Sequence, residues 1–266
     1  AGVLLHRNGA QPRVTSALGR SGSPGATSAL ATLARDAALP EDLRVDALTA
    51  TVQITKPSVD TLQIPAALLQ DANPQVRSAA RLMAGALSRA ARAAHPADAD
   101  RVDASLIALY RGSHDTESRI ELLAALGNSV GPSVAPVLAE AVTDPLPAIR
   151  AAAVRSLRLA AGSEADDMIA TAIIADGDPT VRSDGIFAAR FRRPLPPAVI
   201  SAVLRAATSD TADYVRSGAV ALLRDHLDAS AAVTDTLSHV AHKDPNAAIR
   251  SQASQALAAA MARKGG

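Results

Sequence analysis

One segment in the second half of the chain reads DPLPAIRAAAV over residues 144–154. Its aspartate is followed by four residues, by Val or Ile, and then by an arginine that has a small residue three places after it. The same spacing occurs at five pairs: Asp71 and Arg77, Asp144 and Arg150, Asp176 and Arg182, Asp210 and Arg216, and Asp244 and Arg250. Recurrence at a nearly constant interval indicates a repeat protein.

The interval between the copies fits one pair of helices. Looser copies centre on Arg44 and Arg119, and the arginines recur every 31–34 residues except for 42 residues between Arg77 and Arg119. Apolar or small residues stand one place before the arginine and three, four and seven places after it, which is the spacing of one buried helix face. No segment alternates like a strand. We therefore predict an all-α protein, a right-handed α-α superhelix of about seven to eight antiparallel helix pairs.

The order of Asp, Val or Ile, Arg and Ala in these units resembles the HEAT repeat, and the resemblance extends over nearly the whole chain. It implies an α-solenoid in which each helix pair contacts only its neighbours. In HEAT proteins the aspartate and the arginine form ladders between adjacent units. The resemblance therefore implies a structural role for the five aspartates and five arginines of the repeated pattern.

The repeats predict a single solenoid over residues 1–266. Residues 11–36 align without gaps with residues 119–144, so a half-unit precedes the first recognisable arginine and the array is expected to begin inside a repeat. The one long interval contains the polar stretch HPADAD at 95–100. We therefore predict that residues 94–101 form a loop insertion between two helices.

Composition limits the possible functions. The chain is alanine-rich, of a bacterial type, and only 2% of its residues are aromatic, which suits closely approaching helices better than a bulky core. Its 27 Lys and Arg balance 26 Asp and Glu, unlike most nucleic-acid-binding proteins. The sequence holds no cysteine, which excludes disulfides and thiolate sites and leaves the cellular compartment undetermined. Charged residues interrupt every apolar run, so we expect no membrane span.

Two groups of side chains could carry chemistry. His239 and His242 have the spacing of two metal ligands on a helix, but no third ligand is evident. Asp225, His226 and Asp228 could form an acid–base cluster, but no nucleophile elbow accompanies them. Phosphate-binding and dinucleotide-binding motifs are also missing from the sequence. We predict no enzyme, no catalytic residue, no metal site and no cofactor.

A basic row is the candidate partner-binding site. Arg158, Arg190 and Arg224 each stand eight residues after a repeat arginine, so stacking would set them side by side. Arginine and aromatic side chains are enriched in binding hot spots, and the predicted patch includes four further residues: Arg155, Arg192, Phe187 and Phe191. The alternative is a solvated helix face whose arginines pair with neighbouring acids.

These features favour a non-enzymatic protein–protein interaction scaffold, or a subunit of a larger complex. A first alternative is the helical module of a lipid carrier. Three short segments resemble the helical domain of vitellogenin-type large lipid transfer proteins: LLAALGN at 122–128, IFAAR at 186–190 and YVRS at 214–217. Lipid binding by this chain alone is not expected, since it lacks β-sheets. Bilin-handling HEAT lyases are a further resemblance, without a supporting cysteine. A second alternative is backbone-type nucleic-acid binding through the arginine row.

Overall fold

The computed structural model describes residues 11–227 and 230–264 as an all-helical protein. No β-strand occurs in these residues, and the all-α prediction is confirmed. Contacts divide the chain into two compact units with a boundary between Val137 and Leu138. The single array over residues 1–266 stays a prediction.

The first unit is a two-layer stack of helix pairs. Helices α1, α3, α5 and α7 pack side by side in one layer, and α2, α4 and α6 form the other. The bounds are Gln11–Ser21 (α1), Pro24–Arg35 (α2), Glu41–Thr51 (α3), Val59–Ala66 (α4), Pro74–Ala91 (α5), Pro96–Gly112 (α6) and Thr116–Ser129 (α7). Helix α8, Val134–Ala141, crosses the boundary between the units.

The second unit repeats this architecture. Helices α9, α11, α13 and α15 pack side by side, and α10, α12 and α14 form the other layer. The bounds are Pro147–Ser156 (α9), Ser163–Ala175 (α10), Pro179–Ala189 (α11), Pro197–Ser209 (α12), Asp213–Arg224 (α13), Ala231–Lys243 (α14) and Ala247–Lys264 (α15). A 3-10 turn, Leu157–Leu159, follows α9.

The repeated aspartate and arginine build the turn between the two helices of a pair. In the third copy of the pattern, Asp176 accepts a hydrogen bond from the backbone N–H of Asp178 at 2.9 Å, and Arg182 Nη1 donates to the Asp176 carbonyl at 3.0 Å. The other four copies form the same two contacts. Because each contact spans only two or six residues, the turn is a local property of the sequence.

Small residues let neighbouring helices approach closely. Ala153, Ala219 and Ala253 stand three places after a repeat arginine and are fully buried. Gly185 takes the equivalent place in α11, where a Cβ atom would lie 2.7 Å from the Ile173 side chain. Helix α5 approaches α7 even more closely, since a Cβ atom at Gly85 would lie 2.0 Å from a backbone oxygen. Large side chains at these places would push the neighbouring helices apart.

The predicted loop insertion at 94–101 is wrong from residue 96 onward. Only residues 92–95 connect α5 to α6, and Pro96 occupies the first turn of α6. The additional residues of this unit lengthen the two helices to 18 and 17 residues. Ala99 is fully buried, so this stretch belongs to the packed face of α6. First-turn proline and aspartate residues start a helix as well as they mark a loop.

Candidate partner-binding surface

Ion pairs between successive repeats hold the second unit together. Arg150 donates through Nε and Nη2 to both carboxylate oxygens of Asp176, each at 2.8 Å. Arg182 binds Asp210 in the same way at 2.6 and 2.8 Å, and Arg216 binds Asp244 at 2.7 and 3.1 Å. Two parallel N–H to oxygen bonds fix the geometry of a pair as well as its charge. The contact with Arg150 holds the pKa of Asp176 below its ordinary value.

The described residues of the first unit contain one ion pair of this kind. Arg44, from a looser copy of the pattern, binds Asp71 at 3.3 and 2.5 Å and holds the pKa of that carboxyl low. Arg77 donates only to carbonyls of its own turn among the described contacts, and Arg250 in the second unit does the same. Arg81 follows Arg77 by four residues in α5, and its Nη1 donates to Oε2 of Glu121 in α7 at 3.1 Å.

The three arginines of the predicted basic row lie at equivalent ends of neighbouring helices. Arg158 is in the 3-10 turn after α9, Arg190 caps α11, and Arg224 ends α13. A helix C-terminus is the negative end of the helix dipole, which favours a cation there. Arg224 is exposed and lies 3.2 Å from Asp225, whereas the exposed side chain of Arg190 forms no hydrogen bond or ion pair with the described residues.

Arg192 does not face solvent, contrary to the sequence-based prediction. Its side chain is buried, and Nε lies 2.5 Å from an oxygen of Asp166. Its two other nitrogens donate to the carbonyls of Arg158 at 2.8 Å and Leu157 at 3.1 Å. These contacts supply donors to the carbonyls at the end of α9, where no further helical turn follows. Arg192 therefore joins two repeats and is not available to a partner.

The two phenylalanines form an ordered aromatic pair at the end of α11. Their ring centroids lie 5.4 Å apart with the planes tilted by 58°. The guanidinium of Arg155 lies 3.7 Å from the centre of the Phe187 ring and donates to Asp184 at 2.8 Å. Burial raises the pKa of Asp184, and Arg155 partly opposes that shift. Phe187 is half-buried, whereas Phe191 is 49% exposed.

Sequence reasoning missed Arg193, which extends this basic end of the unit. Arg193 is exposed and lies near His226, whose Nε2 is buried without a hydrogen-bond partner among the described residues. Burial lowers the pKa of His226, and the nearby Arg193 lowers it further. Of the predicted acid–base cluster, His226 has a lowered pKa and Asp225 contacts Arg224, whereas Asp228 lies outside the described residues.

The histidine pair of α14 is not part of a larger cluster. Nδ1 of His242 lies 2.7 Å from the carbonyl of Ser238, within the same helix. Among the described residues no three His, Asp or Glu side chains stand close enough together to hold a metal ion. No described helix combines the length and the apolar character needed to cross a membrane.

A buried carboxylate in the first unit was also missed. Asp103 is fully buried in α6 and accepts hydrogen bonds from Ser88 at 2.7 Å, from Arg92 at 2.5 Å, and from the hydroxyl of Ser129. Its partners come from the C-terminal end of α5 and from the end of α7, so no short sequence pattern reveals the cluster. A buried charge with these partners stabilises one packing arrangement of α5, α6 and α7.

One family model matches part of the chain. Residues 104–190 match the family model of HEAT repeats. This stretch runs from α6 to the end of α11 and includes two copies of the repeated pattern. The match supports the predicted HEAT resemblance, and it does not support the resemblance to vitellogenin-type proteins. No curated protein matches the chain.

Several solved structures are similar to this chain. The CpcE and CpcF complex of phycocyanin lyase from a Nostoc species shares 20% identity, covers 59% of this chain and 98% of its own, and has a TM-score of 0.48. Human deoxyhypusine hydroxylase in complex with glycerol shares 17% identity over 87% of this chain and 94% of its own, with a TM-score of 0.42. An engineered protein shares 18% identity over 96% of this chain and 76% of its own, with a TM-score of 0.44.

Proposed function

We propose that this chain is a non-enzymatic scaffold or assembly subunit that binds another protein. Its binding site is the Phe191 surface, which we define as Arg190, Phe191, Arg193 and Arg224. The observation that carries the proposal is the half-exposed ring of Phe191 beside Arg190, whose charge no described acid neutralises. Exposed aromatic and arginine side chains with few internal contacts are typical of binding hot spots.

The neighbouring residues support this proposal because they hold the surface rigid. Phe187 packs against Phe191 and is itself covered by Arg155, which Asp184 fixes in place. Beneath them, Arg192 fastens the loop after α11 to the end of α9. A rigid aromatic anchor loses little conformational entropy on binding.

The charge of the surface indicates the kind of partner. Three of its four residues are arginines, and among the described residues Asp225 is the acid that contacts one of them, Arg224. An acidic segment of a protein would neutralise this charge and increase the rate of association. The buried carboxylate of Asp103, which could have served catalysis, accepts hydrogen bonds from Ser88 and Arg92 instead.

Affinity capture from the organism that makes the protein tests this function. We compare the unmodified chain with the double variant Arg190→Glu and Phe191→Ser. The matched control is Arg205→Glu with Tyr214→Ser, which changes one exposed arginine and one half-exposed aromatic residue elsewhere in the same unit. We expect the unmodified chain and the control variant to capture a stoichiometric protein partner. We expect the amount captured to fall at least about tenfold only with the Arg190→Glu and Phe191→Ser variant.

Other outcomes would contradict the proposal. Equal retention by the two double variants would exclude the Phe191 surface as the binding site. Capture of nucleic acid with a steep salt dependence would favour backbone binding through the arginines instead. Turnover of a small molecule by the purified chain would exclude a purely non-enzymatic scaffold.

A further inference from the structure

A groove with the opposite charge lies elsewhere in the second unit, along helix α10. On one side α10 packs against α12. On another side, α10 and residues 139–143, at the end of α8, enclose an open groove of about 570 Å³. This volume is within the usual range of about 300–1,000 Å³ for sites that bind ligand groups.

The groove has an apolar floor and an acidic rim. The apolar side chains that line it are Ala139, Val142, Met168, Ala172 and Ala175. Glu164 and Asp167 stand three residues apart on α10 and line it as exposed carboxylates. Neither forms a hydrogen bond or ion pair with the described residues, and the lining includes no Lys or Arg. A third carboxylate, Asp176, lines one end and is already bound to Arg150.

Helix capping does not account for both rim charges. Glu164 lies in the first turn of α10, where the helix dipole favours an acid. Asp167 lies beyond that first turn, where the dipole effect has largely faded. An unneutralised carboxylate beside an apolar floor is therefore a feature of the groove and not of the helix end.

We propose that this groove binds a basic amphipathic helix from a protein partner. The apolar face of that helix would cover Val142 and Met168, and its Lys or Arg side chains would pair with Glu164 and Asp167. Helix α10 has 13 residues and is about 20 Å long, which accommodates a partner helix with apolar anchors at i, i+3 or i+4, and i+7. The flexible thioether of Met168 adapts to apolar side chains of different shapes.

This inference rests on the proposed protein-binding function and adds a second surface to it. The Phe191 surface is cationic and suits an acidic segment, whereas the α10 groove is anionic and suits a basic one. Opposite charges on two surfaces of one unit would let the scaffold discriminate between two segments, because each surface repels the ligand of the other.

Binding of a designed peptide to the full chain tests the inference. The probe is a 15-residue helical peptide with Leu and Ala on one face and Lys on the other, labelled with fluorescein. Its counterpart carries Glu in place of every Lys. We expect saturable, salt-sensitive binding of the Lys peptide and at least about tenfold weaker binding of the Glu peptide.

Two double charge-reversal variants distinguish the effect of the groove's carboxylates from the effect of the protein's net charge. Glu164→Lys with Asp167→Lys is expected to weaken binding of the Lys peptide at least about tenfold. The matched control, Asp42→Lys with Asp235→Lys, changes the net charge equally at two exposed aspartates outside the groove and is expected to retain binding within about twofold. Equal weakening by the two pairs would overturn the inference.

The methionine methyl groups locate the bound peptide. The sequence has three methionines, of which Met168 lines the groove and Met83 belongs to the first unit. In a spectrum of methyl-labelled methionine, the Met168 resonance should shift with added Lys peptide while the Met83 resonance stays in place. An unmoved Met168 resonance at saturation, or no saturable binding, would refute the groove site.

Failure of this inference is distinguishable from failure of the proposed function. The variant Arg190→Glu with Phe191→Ser leaves the groove intact, so it should bind the Lys peptide normally. If the natural partner is captured through the Phe191 surface but the Lys peptide does not bind, only the groove inference fails. If the peptide binds and no natural protein partner exists, the function fails and the groove remains a peptide site.

Discussion

At the scale of single residues, the arginine at the same position of the repeat forms different contacts in different repeats. Arg150, Arg182 and Arg216 each bind their own turn and the aspartate of the next repeat. Arg77 and Arg250 bind only carbonyls of their own turns among the described contacts. The consequence of removing an arginine therefore depends on whether a buried carboxylate loses its partner.

Arg182→Ala should cost far more stability than Arg77→Ala. The first change leaves the Asp210 carboxylate, which is 4% exposed, without its bidentate partner, and we expect a loss of about 3 kcal/mol in the free energy of unfolding. The second change removes hydrogen bonds to two carbonyls and should cost about 1 kcal/mol. Urea-induced unfolding of the two variants measures both losses, and equal losses would contradict the assigned difference.

At the scale of helices, close approach within a layer decides which residues are tolerated. Gly85 of α5 faces the backbone of α7, whereas Gly112 at the end of α6 has no atom within 4 Å of a built Cβ position. Gly85 lies in the middle of α5, and Gly112 is the last residue of α6. Their different surroundings make them a matched pair for measuring how tightly α5 packs against α7.

Gly85→Ala should destabilise the protein, and Gly112→Ala should not. The added methyl group at Gly85 would overlap the Ala125 carbonyl and force α5 away from α7, which we expect to cost about 2 kcal/mol. At Gly112 the gain in helix propensity should stabilise the protein by about 0.5 kcal/mol. Thermal unfolding monitored by circular dichroism measures both effects. An unchanged stability of the Gly85→Ala variant would show that α5 can move away from α7 at little cost.

At the scale of the whole molecule, stability rests on many ionised aspartates. Arg44 holds the pKa of Asp71 below its ordinary value of 3.8, and Arg150 does the same to Asp176. At a pH between the folded and unfolded pKa values, the unfolded chain binds more protons than the folded one. The ion pairs therefore contribute fully above the ordinary value, and their contribution is lost as the pH falls through the lowered values.

Acid should thus unfold the protein cooperatively below about pH 4. We expect the urea midpoint to be nearly constant from pH 7 to about pH 5 and to fall steeply below pH 4, because the paired carboxylates must then take up protons. In Asp176→Asn one of these carboxylates is gone, so this variant should be less stable at pH 7 and should lose less stability on acidification. An unchanged acid slope in this variant would exclude Asp176 from the pH dependence.

The sequence by itself determined the helical repeats and the turn within each one. The turn is local, because Asp176 contacts Asp178 and Arg182, only two and six residues away, and apolar spacing identifies the buried helix faces without knowledge of the fold. The same spacing placed Arg158, Arg190 and Arg224 at the ends of neighbouring helices.

Tertiary structure alone decided which of these residues are available to a partner. Arg192 was expected at the surface, but it is buried against carbonyls 34 and 35 residues earlier in the chain. Asp103 meets Ser129 across 26 residues, and the α10 groove depends on where α8 ends. Such contacts are set by the packing of whole helices, whose ends and separations depend on all the side chains between them, so no short spacing in the sequence encodes them.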